Sequence, residues 1–350
     1  MKILTYYLPQ FHEINENNEW WGKGFTEWTN IKKAKSLFKY HEQPIKPLNN
    51  NYYNLLDRKT LEWQASLMKK YKIEGICSYH YWFEGRKILE KPMENLLKWH
   101  DINLKYCFCW ANHDWKKSWE GNQKLLIEQT YSGVEEWEEH INYLMKFFKD
   151  PRYIKIENMP LFLIYSSKDI PNYEARIEFY KKKCIENGMR GIYIIEILKN
   201  KNEKAIGKNS NGIVFSEPSY SLSNLSIFQK LKRKVLRKLG TKIFYVKNIE
   251  IEKVFFKKFY QKNKKNFLGF FNGWDNTPRH KKRGYVIQKF TDVQLKKILL
   301  KQKKWMKENE VDYLFFNAWN EWAEGMYLEP DEKNGYKYLE IIKEVIETEV

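Results

Sequence analysis

The sequence predicts a single (β/α)8 barrel. Eight segments rich in β-branched and aromatic residues, each bounded by Gly, Pro or Asn, alternate with amphipathic stretches of helical period. Such alternation argues for a parallel sheet covered by helices, and 350 residues suit one closed barrel. An open doubly wound sheet is the alternative. It is disfavoured because no G-x-G-x-x-G follows the first strand.

The predicted strands are Ile3–Leu8, Glu74–His80, Leu104–Trp110, Pro160–Tyr165, Gly191–Glu196, Gly212–Glu217, Phe267–Phe271 and Asp312–Asn317. Between them, Asp57–Tyr71 reads as a helix capped by Asp57, and Ser132–Lys149 as one opened by Ser132 and stopped before Pro151. Pro171–Asn187 stops at Gly188, Thr291–Asn309 opens with a Thr cap, and Tyr336–Ile346 comes last. Two segments exceed a minimal barrel. The first loop, Pro9 to about Asn54, is long but carries Trp20, Trp21, Phe25 and Trp28, which argues for order and function. A basic insertion at about 221–265 separates strands six and seven. No internal repeat or linker marks a second domain.

Composition narrows the function classes. Hydrophobic residues make up 43%, enough for a sizeable core. Aromatics reach 17%, a surplus suited to a cleft that stacks on sugar rings, or else to a lineage favouring large residues. No apolar run is long enough to span a bilayer, and the start is too short and polar for a secretory signal. A cytoplasmic protein is expected, with Cys77, Cys107, Cys109 and Cys184 as reduced thiols and no metal or cofactor. Net charge is +18, and residues 230–265 hold 14 Lys/Arg against Glu250 and Glu252. That stretch reads as solvated lysine, as a contact with an anionic inner leaflet or a lipid-diphosphate-linked glycan, or as a nucleic-acid patch. No nucleic-acid motif accompanies it, so no such partner is expected.

In barrels, chemistry collects at the C-terminal ends of strands. Those ends supply His12, His80, Trp82, Trp110, Asn112, Asp114, Tyr165, Glu217, Trp274, Asp275, Arg279, Trp319 and Asn320, and the first loop adds Trp21, Glu27 and Trp28. Amide, carboxyl and imidazole groups alternating with Trp and Tyr suit hydroxyls and sugar C–H faces. The sharpest signal is Asn317-Ala318-Trp319-Asn320-Glu321-Trp322-Ala323-Glu324-Gly325. One turn would aim Glu321 and Glu324 into one cleft. Glycosidic chemistry needs two carboxyls in opposite protonation states, which desolvation by Trp319 and Trp322 and mutual repulsion would enforce. The bland reading is two surface acids at a helix start. Arg279, in the basic run to Arg283, follows strand seven, where barrels often bind phosphate, and is expected to grip a substrate diphosphate.

Several segments together resemble the WbsX-like glycosyltransferases. They are Tyr6-Tyr7-Leu8-Pro9-Gln10-Phe11-His12, Trp21-Gly22-Lys23-Gly24-Phe25-Thr26-Glu27-Trp28, Tyr79-His80-Tyr81-Trp82-Phe83 and Cys109-Trp110-Ala111-Asn112. Gly273-Trp274-Asp275-Asn276-Thr277-Pro278-Arg279 and the eighth-strand motif extend the match almost to the C-terminus. The resemblance implies a (β/α)8 enzyme of bacterial O-antigen or capsule assembly, related to the endo-acting α-mannosidases and mannanases of glycoside hydrolase family 99. It implies that Glu321 takes the proton of a sugar 2-hydroxyl and Glu324 acts as acid, then base, through a 1,2-anhydro sugar with retention. The family commonly reads Trp-Ala-Asn-Glu-Asn-Trp after strand three. Here the segment is Trp110-Ala111-Asn112-His113-Asp114-Trp115, so a His replaces the usual acid at a substrate-contacting corner. A glycan-binding protein without turnover, built on the same frame, is the alternative.

Overall fold

The computed structural model describes residues 1–117, 124–229, 231, 235 and 243–350. The part of the basic insertion formed by residues 230, 232–234 and 236–242 lies outside them.

Eight parallel strands form the barrel: β1 (Lys2–Tyr7), β2 (Gly75–Phe83), β3 (Tyr106–Trp110), β4 (Met159–Ile164), β5 (Tyr193–Leu198), β6 (Gly212–Phe215), β7 (Lys265–Phe271) and β8 (Tyr313–Asn317). Each pairs with the next, and β8 returns to β1 through Lys2↔Tyr313 to Thr5↔Phe316, closing the sheet. These strands are almost wholly buried, as expected when side chains fill the barrel inside and helices cover it outside.

The covering helices are α1 (Arg58–Lys70), α2 (Lys91–Lys98), α3 (Val134–Phe148), α4 (Tyr173–Glu186), α5 (Ser219–Ser223), α6 (Asn248–Phe255), α7 (Asp292–Glu308) and α8 (Lys337–Glu347). Two of the three predicted caps differ. Asp57 makes no capping bond, and Ser132 donates to Glu84 instead, leaving Gly133 at the start of α3. Thr291 does cap, accepting from the Gln294 amide at 3.3 Å while Gln294 reciprocates. Between β5 and β6 there is no helix. That connection holds Asn200, Asn202, Gly207, Asn209 and Ser210, all turn formers. It is pinned by Glu196, whose carboxylate accepts the amides of Ile206 and Gly207.

The first loop folds into two short helices, Asn15–Trp21 and Glu27–Lys33, the second crossing the C-terminal rim of the barrel. The basic insertion returns as a strand, Phe244–Val246, which pairs with Tyr285–Ile287 and through it with Trp274–Asp275. The loop after β7 is thereby fixed. All four cysteines are buried free thiols. Among the described residues no helix is long and apolar enough to cross a membrane, and no His/Cys/Asp/Glu group is arranged to hold a metal ion.

Candidate active site

A cleft of about 460 Å³ opens at the C-terminal ends of the strands. Its chemistry begins with the local fold after β8. Asn320–Glu321 pairs antiparallel with Met326–Tyr327, and Trp322–Glu324 makes a single 3₁₀ turn between them. In a 3₁₀ turn residues three apart eclipse, so Glu321 and Glu324 face the same way. Gly325 closes the turn at φ +63°, and a Cβ there would stand 3.1 Å from Asp275. Glycine is favoured at that position.

Both carboxyls reach the cleft and converge on Arg279, delivered by the short helix after Trp274–Asp275. The Arg279 guanidinium lies 3.0 Å from Glu27 Oε2 and 3.4 Å from Glu321 Oε2, and makes a tight pair with Glu324 Oε1. The other Glu324 oxygen accepts the Trp274 indole N–H at 2.9 Å. Three carboxyls therefore surround one guanidinium. Burial opposes the charge of Arg279, but Glu27, Glu324 and Glu321 outweigh it and hold the guanidinium charged. Glu321 is pushed up to about 8, chiefly by burial; Arg279 offsets this, while Glu324 and Glu27 add to it. Burial also raises Glu27, again against the pull of Arg279. Burial thus keeps a proton on Glu321 near neutral pH.

Tyr79, Tyr81, Phe83, Trp115, Tyr165 and Trp274 wall the cleft, with Gln10, His113, Asp114, Glu217 and Asn317 between them. Burial and the nearby Glu321 raise Tyr79 and Tyr81, so both remain phenols able to donate hydrogen bonds into the cleft. His113 sits 5.1 Å from the Tyr165 ring and is pushed down to about 4 by burial, so a neutral imidazole stands where the resemblance leads one to expect an acid. Asp114 is fixed by the Gln129 amide and Lys116, and Glu217 is tied to Lys258 and to the Ser221 amide.

Of the sequence-predicted residues, the structure brings together Glu321, Glu324, Glu27, Arg279, Trp274, Tyr165, Asp114 and Glu217. The others do not line the cleft. His12 is buried in the first loop, where burial lowers it to about 4, and Trp21 packs on Phe25. Trp28 donates to the Tyr53 carbonyl at 2.8 Å. His80 meets His140 at 2.9 Å, Trp82 donates to Glu136 at 2.7 Å, and Trp110 lies against the Arg176 guanidinium. Asn112 and Asn320 each bond both ways to one backbone residue, Ser166 and Leu8 respectively. Asp275 accepts from His41, Gln43 and Thr277. Trp319 and Trp322 are core side chains, and the indole that meets the carboxyl pair is Trp274, which donates to Glu324. Arg279, expected to grip a diphosphate, contacts three carboxyls, so a phosphate there would share its guanidinium with Glu27, Glu321 and Glu324.

Several of these misplacements have one cause, the parity of the pleat. Successive strand side chains point to opposite faces. On β2 the odd residues Tyr79, Tyr81 and Phe83 face the cleft, while His80 and Trp82 face α3. The signal was in the sequence: Glu136 and His140 are polar positions on the otherwise apolar face of α3, placed to receive His80 and Trp82.

The rim of this closed parallel barrel thus sets a carboxyl pair between tyrosine and tryptophan walls. The chain belongs to the family described as Glycosyltransferase WbsX, whose model matches residues 3–342. It is 29% identical over 98% of its length to each of two Xanthomonas campestris pv. campestris proteins named "Uncharacterized protein WxcX", from strains B100 and ATCC 33913, and spans about half (49%) of their length. The GH99 endo-alpha-mannosidase from Bacteroides thetaiotaomicron shares the fold with a TM-score of 0.56 at 13% identity, over 98% of this chain and 96% of that one. A structure titled "Glycoside hydrolase-like protein" gives a TM-score of 0.61 at 11% identity, over 99% and 94%.

Proposed function

We propose that this protein cleaves or transfers a mannose-like glycosyl unit during assembly of a bacterial surface polysaccharide, with retention of configuration. The observation that carries the reading is the convergence of Glu321 and Glu324 on Arg279 at the floor of a Tyr/Trp-walled cleft. The resemblance to family 99 supplies the roles. In the first step the sugar 2-hydroxyl gives its proton to Glu321 and its oxygen attacks C1. The bond from C1 to the leaving oxygen breaks as Glu324 protonates that oxygen, leaving a 1,2-anhydro sugar. In the second step Glu324 takes a proton from water or an acceptor hydroxyl, whose oxygen attacks C1; the C1–O2 bond of the anhydro ring breaks, and the 2-oxygen recovers its proton from Glu321. Arg279 holds the carboxyls in register, and Trp274 fixes one Glu324 oxygen.

One observation favours a reversed assignment: the proton that burial keeps on Glu321 suits an acid better than a base. Glycosides with activated leaving groups decide between the two, because such a group departs without a proton from the acid. With Glu321 as base, Glu324→Gln should still release an activated leaving group and Glu321→Gln should not. With Glu321 as acid, the two variants exchange behaviour. The wider reading is tested by incubation with lipid-linked oligosaccharide and mass analysis of the glycan. Glu321→Gln and Glu324→Gln should abolish turnover and spare glycan binding. Binding without turnover in the unaltered protein across a panel of glycans would establish the non-catalytic alternative.

A further inference from the structure

The basic insertion takes no part in the chemistry above, yet its sequence and its exposure are both unusual. Ser226 and Gln229 form a reciprocal cap: the Gln229 amide donates to Ser226 Oγ at 3.3 Å, and the Ser226 amide donates to Gln229 Oε1 at 3.0 Å. Such a pair starts a helix. The described residues that follow, Ile227, Phe228, Gln229, Leu231 and Val235, are helical. At 3.6 residues per turn, Ile227, Phe228, Leu231 and Val235 fall within an arc of about 100°. These four are not packed on the barrel: Ile227 is 78% exposed, Phe228 75%, and Leu231 and Val235 55% each. Gln229 lies about 150° from the middle of that arc. Its amide donates to Glu250 of α6 at 2.7 Å. The polar side is thus tied to the protein, and the apolar side points away from it.

Residues 226–239 contain six Lys/Arg and no acid. We propose that the helical face formed by Ile227, Phe228, Leu231 and Val235 is a docking surface for an anionic phospholipid bilayer. Exposed aliphatic and aromatic side chains on one side of a strongly basic segment match the two terms of interfacial binding, apolar insertion below the headgroups and attraction to anionic lipid. A nucleic acid needs only the cations and gains nothing from the apolar face. A second copy would bring two basic segments together, an unfavourable pairing. The surface starts just beyond Ser216–Ser219, which line the cleft, so docking sets the cleft rim near the bilayer. The inference does not depend on which glycosyl reaction the cleft performs.

The test is sedimentation of the full chain with phosphatidylcholine vesicles, with and without phosphatidylglycerol, at near-physiological salt. The protein should sediment with the mixed vesicles and not with phosphatidylcholine alone. Phe228→Ser combined with Leu231→Ser should lower binding at least ~10-fold, because two apolar groups no longer insert. Its thermal unfolding should be unchanged, since both side chains are exposed. Lys232→Glu with Lys234→Glu provides a second variant that leaves the apolar face intact, and it too should lose the mixed vesicles. Failure of the unaltered protein to sediment with the mixed vesicles overturns the proposal. So does undiminished binding by either variant, or self-association or duplex-DNA binding in place of vesicle binding.

Discussion

Replacing Glu321 with Gln should make the protein more stable, and increasingly so as pH rises. In the folded state burial keeps the Glu321 carboxyl protonated up to about 8, whereas an unfolded Glu ionises near 4.5. Between those values the folded chain binds the extra proton, so this group's contribution to stability falls as pH rises and levels above pH 8. At ~1.4 kcal/mol per pH unit, the loss is on the order of 3 kcal/mol near pH 7 and of 4–5 above pH 8. Gln is nearly isosteric, has no proton to lose and removes one of three carboxyls from around Arg279. Relaxation and the weakened Arg279 contact reduce the gain to about 2–4 kcal/mol. For 350 residues, at ~2 cal/mol/K per residue, this corresponds to about 3–6 °C in Tm. Thermal unfolding of both proteins from near pH 5 to near pH 8.5 measures it: the curves should meet at the acid end and separate steadily. A difference that does not grow with pH, or a less stable variant at pH 8, would refute the view that Glu321 is a buried, proton-retaining acid.

Arg279→Gln removes the guanidinium that pairs with Glu27, Glu321 and Glu324, and should destabilise the fold by about 3–5 kcal/mol at neutral pH, with partial recovery on acidification; a pH series of denaturant melts reads this directly. Tyr81→Ala should weaken glycan binding with little effect on stability, whereas Trp82→Ala should cost about 3–5 kcal/mol; titration calorimetry and urea melts separate the two, and the opposite pattern would reverse the assigned pleat parity. Gly325→Ala should cost about 1–2 kcal/mol through its left-handed φ, and should lower kcat through displacement of Glu324 more than it raises KM.

The sequence by itself determined the architecture and pointed to the carboxyl pair at the rim of the barrel. All eight barrel strands lie where their apolar runs placed them, within a few residues, because burial on both faces leaves a continuous signature. Glu321 and Glu324 were legible from their spacing, and Glu27 and Trp274 from motif context. What the tertiary structure alone decided was facing and pairing. A one-residue change in pleat parity turns His80 and Trp82 outward and Tyr79 and Tyr81 into the cleft. Glu196 offers a similar lesson: β5 runs two residues further than predicted, so this residue lies within the strand and its carboxylate pins the connection to β6. Nor could a linear sequence show that Arg279 reaches across to Glu27, 252 residues away in the chain. Periodicity records which residues are buried, but which charges meet depends on contacts between segments remote in sequence. The character of this site, three carboxyls held by one guanidinium, exists only after the barrel has closed.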